Sequence, residues 1–591
     1  TVATSAGPAA GGKARRGRGS DVTMIYTAEG SIAAQLTLPG EPFELVRRDG
    51  RTAFRNHPAT LIDLYAHALG HGAQTMTIAD GVATSFETVF GRAAALSRAL
   101  GTRFGVGRGS YVALAMANRV EWMIAYIAVT AAGGIAVLVN SRGAPDELRD
   151  AIERTGCGLA ILDAERAALL AESGMTRPCR QILLDGGEAF VRIGQDALFD
   201  AISRWDPAIP LAFAPVGPSD GATVLFTSGT TGRPRGALQS HGAAAHAVGL
   251  AGLMGVAADR CYEQEFGRTI PPARTSNVSP TIIAGPLFHL GGYVPFLRCL
   301  YFGARTLLLG KWNPEAMLRT IEREGVTRLG FVPTMLWDML RSPEAGPGNI
   351  GQVLFVSSGA AAISPALTRE IAERMPGCML GNTYGSTETA GYVASIWGRE
   401  FLDNPTACGR IQPSVEVRLV DASGQDVRPG EAGEVAVRSP CLMTEYVGDS
   451  EGTAETIRDG WLHTGDIGVM NGDRLLHIVD RKKNMVISGG ENIYCAEVER
   501  VLSEHDQVLE VLAYGVPDER LGERLSVTIV RRPDVSISEA DIRSYVASRL
   551  AIYKVPREVH FRTVAFARTA SGKIDRLTFV QSVRSGGGHA V

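Results

Sequence analysis

Several things are scarce in this 591-residue sequence, and each scarcity closes a class of function. Charge of one sign is scarce, since 59 Lys and Arg stand against 62 Asp and Glu, a net charge of −3. A dedicated nucleic-acid binder carries a strong basic excess, so no nucleic-acid partner is expected. Patterned cysteine is absent: the 8 cysteines are scattered from Cys157 to Cys495 with no C-x-x-C pair. Zinc sites and disulfide frameworks need closer or patterned spacing, so these residues read as buried thiols of a reducing, cytoplasmic compartment. The chain opens TVATSAGPAAGGKARRGRGS, which has no apolar core of the kind a secretory signal needs. Residues 1–20 read as a basic disordered tail, with a transit peptide or an anionic-surface patch as alternatives. Trp122 to Val139 is uncharged and only marginally long enough to span a membrane. Gly133-Gly134 divides it into a helix-like half and a β-like half, so it reads as a buried helix feeding a buried strand. No transmembrane segment is expected. The 69 glycines follow no G-x-y period, which excludes collagen and suggests loops that approach ligands closely.

What is present is the balance of a soluble globular protein, 45% hydrophobic and 20% charged, long enough for two to four folding units. From about residue 80 to 480, apolar β-rich runs such as TVLFTSG and VLFVSSG alternate with helical stretches such as PEAMLRTIEREG. That alternation predicts parallel sheets covered by helices, an α/β fold. From about 409 to 480 the texture changes to short strands and Gly/Asp turns. After 484 a smaller α+β unit shows the order helix, strand, strand, helix, strand. The closing residues, 581–591, look like a frayed tail.

The strongest local signal lies where the β-run Val224-Leu225-Phe226 empties into Thr227-Ser228-Gly229-Thr230-Thr231-Gly232-Arg233-Pro234-Arg235-Gly236. Glycines let the main chain approach an anion, hydroxyls donate hydrogen bonds and arginines neutralise charge. It is not a Walker loop, because Pro234 falls where the second glycine would stand. A phosphate-binding loop is the reading, against a polar surface turn.

This segment resembles the nucleotide loop of the adenylate-forming superfamily, which contains acyl-CoA synthetases, luciferases and peptide-synthetase adenylation domains. The rest of the chain agrees in order. Pro286 to Gly292 (PLFHLGG) resembles the acyl-pocket segment, Ser358-Gly359-Ala360-Ala361 the adenine turn, and Tyr384-Gly385-Ser386-Thr387-Glu388 the adjoining Y-G-x-T-E. WLHTGD, ending at Asp466, resembles the ribose segment, and Asp480-Arg481-Lys482-Lys483 the hinge. Ser488 to Ile493 and Ala570 to Arg576 (ASGKIDR) close the set. The resemblance implies a large N-terminal AMP-binding domain over 21–480, with a small β-barrel-like subdomain at 409–480. A hinge at 481–483 would join it to a mobile α+β C-terminal domain at 484–580.

It also implies an ATP-dependent acid–thiol ligase, with ATP, CoA and Mg²⁺ as cofactors and a small carboxylic acid as substrate. Tyr384 and Gly385, with Gly359, Ala360 and Ala361, would take adenine; Asp466 and Arg481 would take the ribose. Thr387 would hold the α-phosphate, and Glu388 with Thr230 would bind Mg²⁺. Lys573 would be the catalytic cation and His289 an aromatic gate between acyl pocket and thiol tunnel. Lys483 would be the hinge, with Gly489 and Gly490 lining the thiol's approach. Glycines 292, 359, 381 and 391 would leave room around the acid. No cation lies in these segments, Arg298 reads as solvated, and no acidic residue follows His289 from Leu290 to Leu297. A medium- or long-chain fatty acid or another bulky apolar acid is therefore preferred over a dicarboxylate or an amino acid. The stretch from Asp259 to Ser279 reads as a lid or an exposed loop. Two departures stand out: Arg235 where the family usually has Lys, and Glu445 where glycine is common. A carrier-protein-loading enzyme and a nucleotide-binding pseudoenzyme are the competing readings, and a homodimer is compatible with the sequence.

Overall fold

The computed structural model describes residues 27–28, 30–48, 51–184, 197–207, 210–227, 234–358, 365–472, 474–488, 491–532, 535–569 and 573–584. The basic segment 1–20 lies outside these residues.

Two large sheets dominate. In the first, strands Gly221–Thr227, Ile135–Leu138, Tyr111–Ala115, Leu159–Leu162, Arg180–Leu183 and Ala197–Leu198 run parallel in that spatial order, and Arg235–Ser240 and Glu445–Tyr446 extend it antiparallel. Its strands are near-continuous apolar runs, as sheets covered on both faces require. The helix Val120–Ala131 leads into Ile135–Leu138, and from Trp122 to Ala131 every helical residue is buried. The uncharged stretch is thus core, as its glycine break implied.

The second sheet is one path of strands that changes character halfway. Arg328–Gly330, Phe355–Ser358 and Met379–Tyr384 are parallel. Ala394–Trp397, Ala407–Ile411, Leu476–Arg481, Trp461–Met470, Gly433–Arg438 and Glu416–Val420 continue it antiparallel. The β-rich texture seen after residue 409 is this antiparallel half. A four-stranded sheet (Thr281–Ile283, Thr306–Leu308, Thr75–Ala79, Val82–Ser85) and a two-stranded one (Leu45–Arg48, Arg51–Phe54) also belong to the large region.

The helix His241–Phe266 packs through this region. Ser240 caps its start, accepting from Ala243 N at 3.1 Å, and Gly267 ends it in the left-handed conformation. It is the one described helix long and apolar enough to cross a membrane, and 83% of its apolar window is buried inside the protein. Its length corrects only the first part of the reading of Asp259 to Ser279, since most of Gly267 to Ala273 is the exposed loop, one of the two alternatives. Asp259 belongs to this helix, pairs with Arg328, and its Oδ2 accepts from Ser276 N at 2.9 Å. The segment is tied down, not a lid. Arg298 is corrected too: it turns inward, donating to Ser276 O at 2.5 Å and Thr281 Oγ1 at 2.7 Å. None of the eight cysteines forms a disulfide.

The smaller unit follows the expected order: Cys495–Ser503, Val508–Asp518, Gly522–Arg531, Glu539–Ala547 and Glu558–Arg562. A hairpin, Val486–Ser488 with Glu491–Ile493, joins its sheet. The helix Arg576–Arg584 runs past residue 580, where a frayed tail was expected. Phe579, Val580 and Val583 hold it by packing beside Leu512, Tyr514 and Phe566. Residues 585–591 lie outside the described residues.

Candidate active site

The two sheets and the smaller unit converge on one region. Asp466 and Arg481 are antiparallel partners on neighbouring strands, and Tyr384 ends the strand Met379–Tyr384. Arg481 Nε donates to Asp466 Oδ1 at 2.9 Å and Tyr384 Oη donates to Oδ2 at 2.7 Å. Both oxygens of a carboxylate that is 4% exposed are thereby oriented. Burial first, and the Asp466 charge second, push the Tyr384 phenol well above its ordinary value, so it remains the donor. Each Asp466 oxygen keeps acceptor capacity for a further hydroxyl.

Thr387 and Glu388 sit on a single 3₁₀ turn, Thr387–Thr389. Gln239 Nε2 donates to Thr387 O at 3.0 Å, and Met443 N donates to Glu388 O at 2.8 Å. Tyr446 Oη donates to Glu388 Oε1 at 2.7 Å and accepts from Arg235 Nη2 at 3.3 Å, while the Arg235 guanidinium lies 4.0 Å from the centre of the Tyr446 ring. Sequence reasoning missed Tyr446. Its partner Arg235 is 211 residues away, and no local pattern marks it. The same strand accounts for Glu445. It pairs with Leu238 in extended backbone, which needs no glycine.

Lys573 O accepts from Thr569 N at 2.8 Å, and its neighbour Ile574 bridges Arg568. The Lys573 side chain reaches solvent, yet the surrounding protein and the Arg481 charge hold its pKa below the usual lysine value, while Asp466 pulls the other way. Burial, then the charges of Arg142 and Lys573, lower the His289 pKa to about 4. The charges of Asp466 and Arg481 thus act on Lys573, and the charge of Lys573 acts on His289. His289 precedes the helix Leu290–Phe302 without spending its ring on a cap, and lies 4.6 Å from the Phe288 ring. Arg142, beside it, is a cation that sequence reasoning passed over.

Lys483 lies on the 3₁₀ turn Lys482–Asn484 between the two units. Burial, and then Arg481, Arg235 and Arg576, lower its pKa. Just before it, Asp480 Oδ2 accepts from Ala496 N at 2.9 Å, so the end of the large sheet caps the first helix of the smaller unit.

Thr227 faces Arg235 across a hairpin whose tip, with Ser228, Gly229, Thr230, Thr231 and Gly232, lies outside the described residues. Gly359, Ala360, Ala361, Gly489 and Gly490 lie outside them as well. Two proposed pocket glycines leave less room than expected. Gly381 pairs with Trp397 across the strands, and a Cβ there would meet the indole at 2.1 Å. A Cβ on Gly292 would meet Pro286 O at 2.4 Å. A Cβ on Gly391 would meet a Leu290 methyl at 3.5 Å, and one on Gly385 would meet Gly391 O at 2.3 Å.

No group of three or more His, Cys, Asp or Glu able to hold a metal occurs among the described residues. Mg²⁺ needs none, because it binds through one or two carboxylates and takes its remaining oxygens from phosphates and water. A Glu388 carboxylate steadied at one oxygen fits that demand.

Comparison with known proteins agrees with this geometry. The AMP-binding enzyme model matches residues 64–447, and the model of the AMP-binding enzyme C-terminal domain matches residues 497–573. A (methyl-dioxo-octahydro-indenyl)propanoyl:CoA ligase of Rhodococcus jostii is 31% identical over 88% of this chain and 97% of its own length. A feruloyl-CoA synthase of Amycolatopsis is 31% identical over 86% of this chain and 94% of its own length. The solved structure of the amide bond synthetase McbA from Marinactinospora thermotolerans superposes with a TM-score of 0.77 at 27% identity, covering 90% of this chain and 99% of that one. With its large N-terminal and small C-terminal parts, this chain belongs to the AMP-binding enzyme family, as its motifs implied.

Proposed function

We propose that this enzyme is an ATP-dependent acid–CoA ligase. A substrate carboxylate oxygen attacks the α-phosphorus of ATP, pyrophosphate leaves, and the acyl-AMP then passes its acyl group to the CoA thiol with release of AMP. What supports this reading is that the Lys573 charge is felt together with those of Asp466 and Arg481, and in turn by His289. A cation there favours the approach of two anions and gains strength as charge shifts in the transition state. Asp466 and Arg481 would hold the ribose, Tyr384 the adenine side and Thr387 the α-phosphate. Glu388, with Thr230, would hold Mg²⁺, which when bound neutralises phosphate charge. His289, neutral at pH 7, would border the acid without adding charge. The second step needs Lys573 withdrawn, and Lys483, between the two units, is the proposed hinge, with Gly489 and Gly490 beside the thiol.

For the substrate, a bulky apolar acid, ring-bearing in preference to a straight fatty chain, is favoured. The named relatives act on a fused-ring propanoate and on ferulate, and the Trp397 indole over Gly381 supplies an aromatic surface. The test is a panel of aryl, fused-ring and fatty acids assayed for pyrophosphate and AMP release with and without CoA. AMP release that requires CoA and is fastest with ring-bearing acids is expected. Pyrophosphate release that CoA never carries through to AMP would point to a carrier protein or an amine as acceptor. ATP binding without either product would leave a pseudoenzyme.

A further inference from the structure

We propose that Tyr446 is a positioning residue that orders Arg235 and Glu388 while keeping them from pairing with each other. The guanidinium is then left for the nucleotide's phosphates and the carboxylate for Mg²⁺. This rests on the role proposed for Glu388 above and adds a residue that role does not include.

Three features carry it. Tyr446, 2% exposed, stands on the edge strand Glu445–Tyr446, whose register opposite Ala237 brings the phenol between the start of the strand Arg235–Ser240 and the turn Thr387–Thr389. Its hydroxyl does two jobs at once, accepting from Arg235 Nη2 at 3.3 Å and donating to Glu388 Oε1 at 2.7 Å. A hydroxyl can do both because it carries one donor and two acceptor lone pairs. Among the described residues the Arg235 Nε is buried without a partner, although its guanidinium rests 4.0 Å from the ring centre. Among the described residues the arginine side chain is therefore held by stacking and one hydrogen bond, with no ion pair. Without the phenol, a free arginine beside a free glutamate would neutralise each other and compete with both ligands. The pair also explains the departure from lysine at 235. A planar guanidinium stacks on an aromatic face while donating from its edge, and a compact ammonium does not do both.

The test uses the whole enzyme and ATP. Binding is measured by calorimetry across a Mg²⁺ titration, and the KM for ATP is separated from kcat. Tyr446→Phe keeps the ring and removes the hydroxyl. It should raise the Mg²⁺ needed for half-maximal ATP binding by ~10-fold, the scale of a hydrogen bond to a charged group. In a Glu388→Gln background the same change should have no further effect, because coupled residues are non-additive. Tyr446→Leu should in addition weaken Mg²⁺-free ATP binding. If that variant does not fold, the Phe variant and the double mutant decide alone. A wild-type Mg²⁺ profile for Tyr446→Phe, with Glu388→Gln shifted, would overturn the role of Tyr446 alone. Additive effects in the double mutant would overturn the coupling. An unshifted Glu388→Gln would remove the Glu388 assignment and this inference with it.

Discussion

The residues assigned to the nucleotide and the residue assigned to the chemistry are held in opposite ways. Asp466, Arg481 and Tyr384 stand on strands of one continuous sheet, fix one another by hydrogen bonds, and need nothing from the smaller unit. Lys573 belongs to that smaller unit, which has a core of its own built from Val498, Leu502, Val527, Ile529 and Ile542. The unit is tied to the large sheet by such contacts as Asp480 with Ala496. On the proposed roles, binding would be preorganised, whereas the catalytic cation would be delivered by the smaller unit. An enzyme that must present one face to ATP and another to a thiol gains from this division, because the cation can be withdrawn without dismantling the nucleotide site.

The sharpest way to break the contrast is Lys573→Ala. It should cut adenylate formation by ~10²-fold or more, the scale of losing one preorganised electrostatic contact. ATP affinity by calorimetry should stay within a few-fold. A loss of binding as large as the loss of pyrophosphate exchange would make Lys573 part of the binding face and end the distinction. Lys483→Pro probes the joint. Proline fixes φ near −65°, so a residue that must rotate is locked. Thioester formation should fall on the order of 10-fold more than adenylation, since a hinge serves the step that needs the change. Equal losses in both half-reactions would mean that this turn is an ordinary linker.

A smaller effect is expected at the contact itself. Asp480→Ala removes the acceptor of Ala496 N and of Arg481 N. Adenylation should fall by about 5-fold, since a charged acceptor is lost, while transfer from preformed acyl-AMP to CoA should be unchanged or faster. Slowing of both steps together would make Asp480 a general support of the sheet.

Much of this arrangement was legible in the chain, and the division follows distance along it. The buried helix Val120–Ala131, the strand Gly221–Thr227 before the glycine-rich loop and the order of the smaller unit are local patterns, set by periodicity and turn residues. The motif residues Asp466, Arg481, Thr387, Glu388 and Lys573 were marked by their neighbours. What escaped was decided by contacts between distant segments. Tyr446 has meaning only through Arg235 and Glu388. Gly381 looked like open space until Trp397, its cross-strand partner, filled it. Arg298 looked solvated because nothing near it in sequence shows the carbonyl and hydroxyl that receive it. Side-chain contacts across a sheet or between helices leave no local signature, so composition can propose a pocket but cannot show what fills it.

Acid should sharpen the comparison most gently. Burial lowers His57, His241 and His289 to about 4 and His246 to about 3, and all four lie in the large region. Their unfolded values lie near 6.5. At pH 7 both states are neutral and these groups are silent. As pH falls from about 6.5 toward 4, the unfolded chain binds protons that the folded chain refuses. Stability therefore declines across that window and levels off once the folded histidines also protonate. Each group adds a slope of at most about 1.4 kcal/mol per pH unit. All six tryptophans, from Trp122 to Trp461, belong to the large region, so their fluorescence reports its unfolding alone. The urea midpoint by tryptophan fluorescence should drop between pH 6.5 and 4.5, and His289→Gln should make that drop shallower by up to one proton. Because His289 is already neutral, the same substitution should not move any inflection in the adenylation rate between pH 6 and 8. A shifted inflection would mean that His289 carries a proton during turnover, and the site would then hold a second titrating cation beside Lys573.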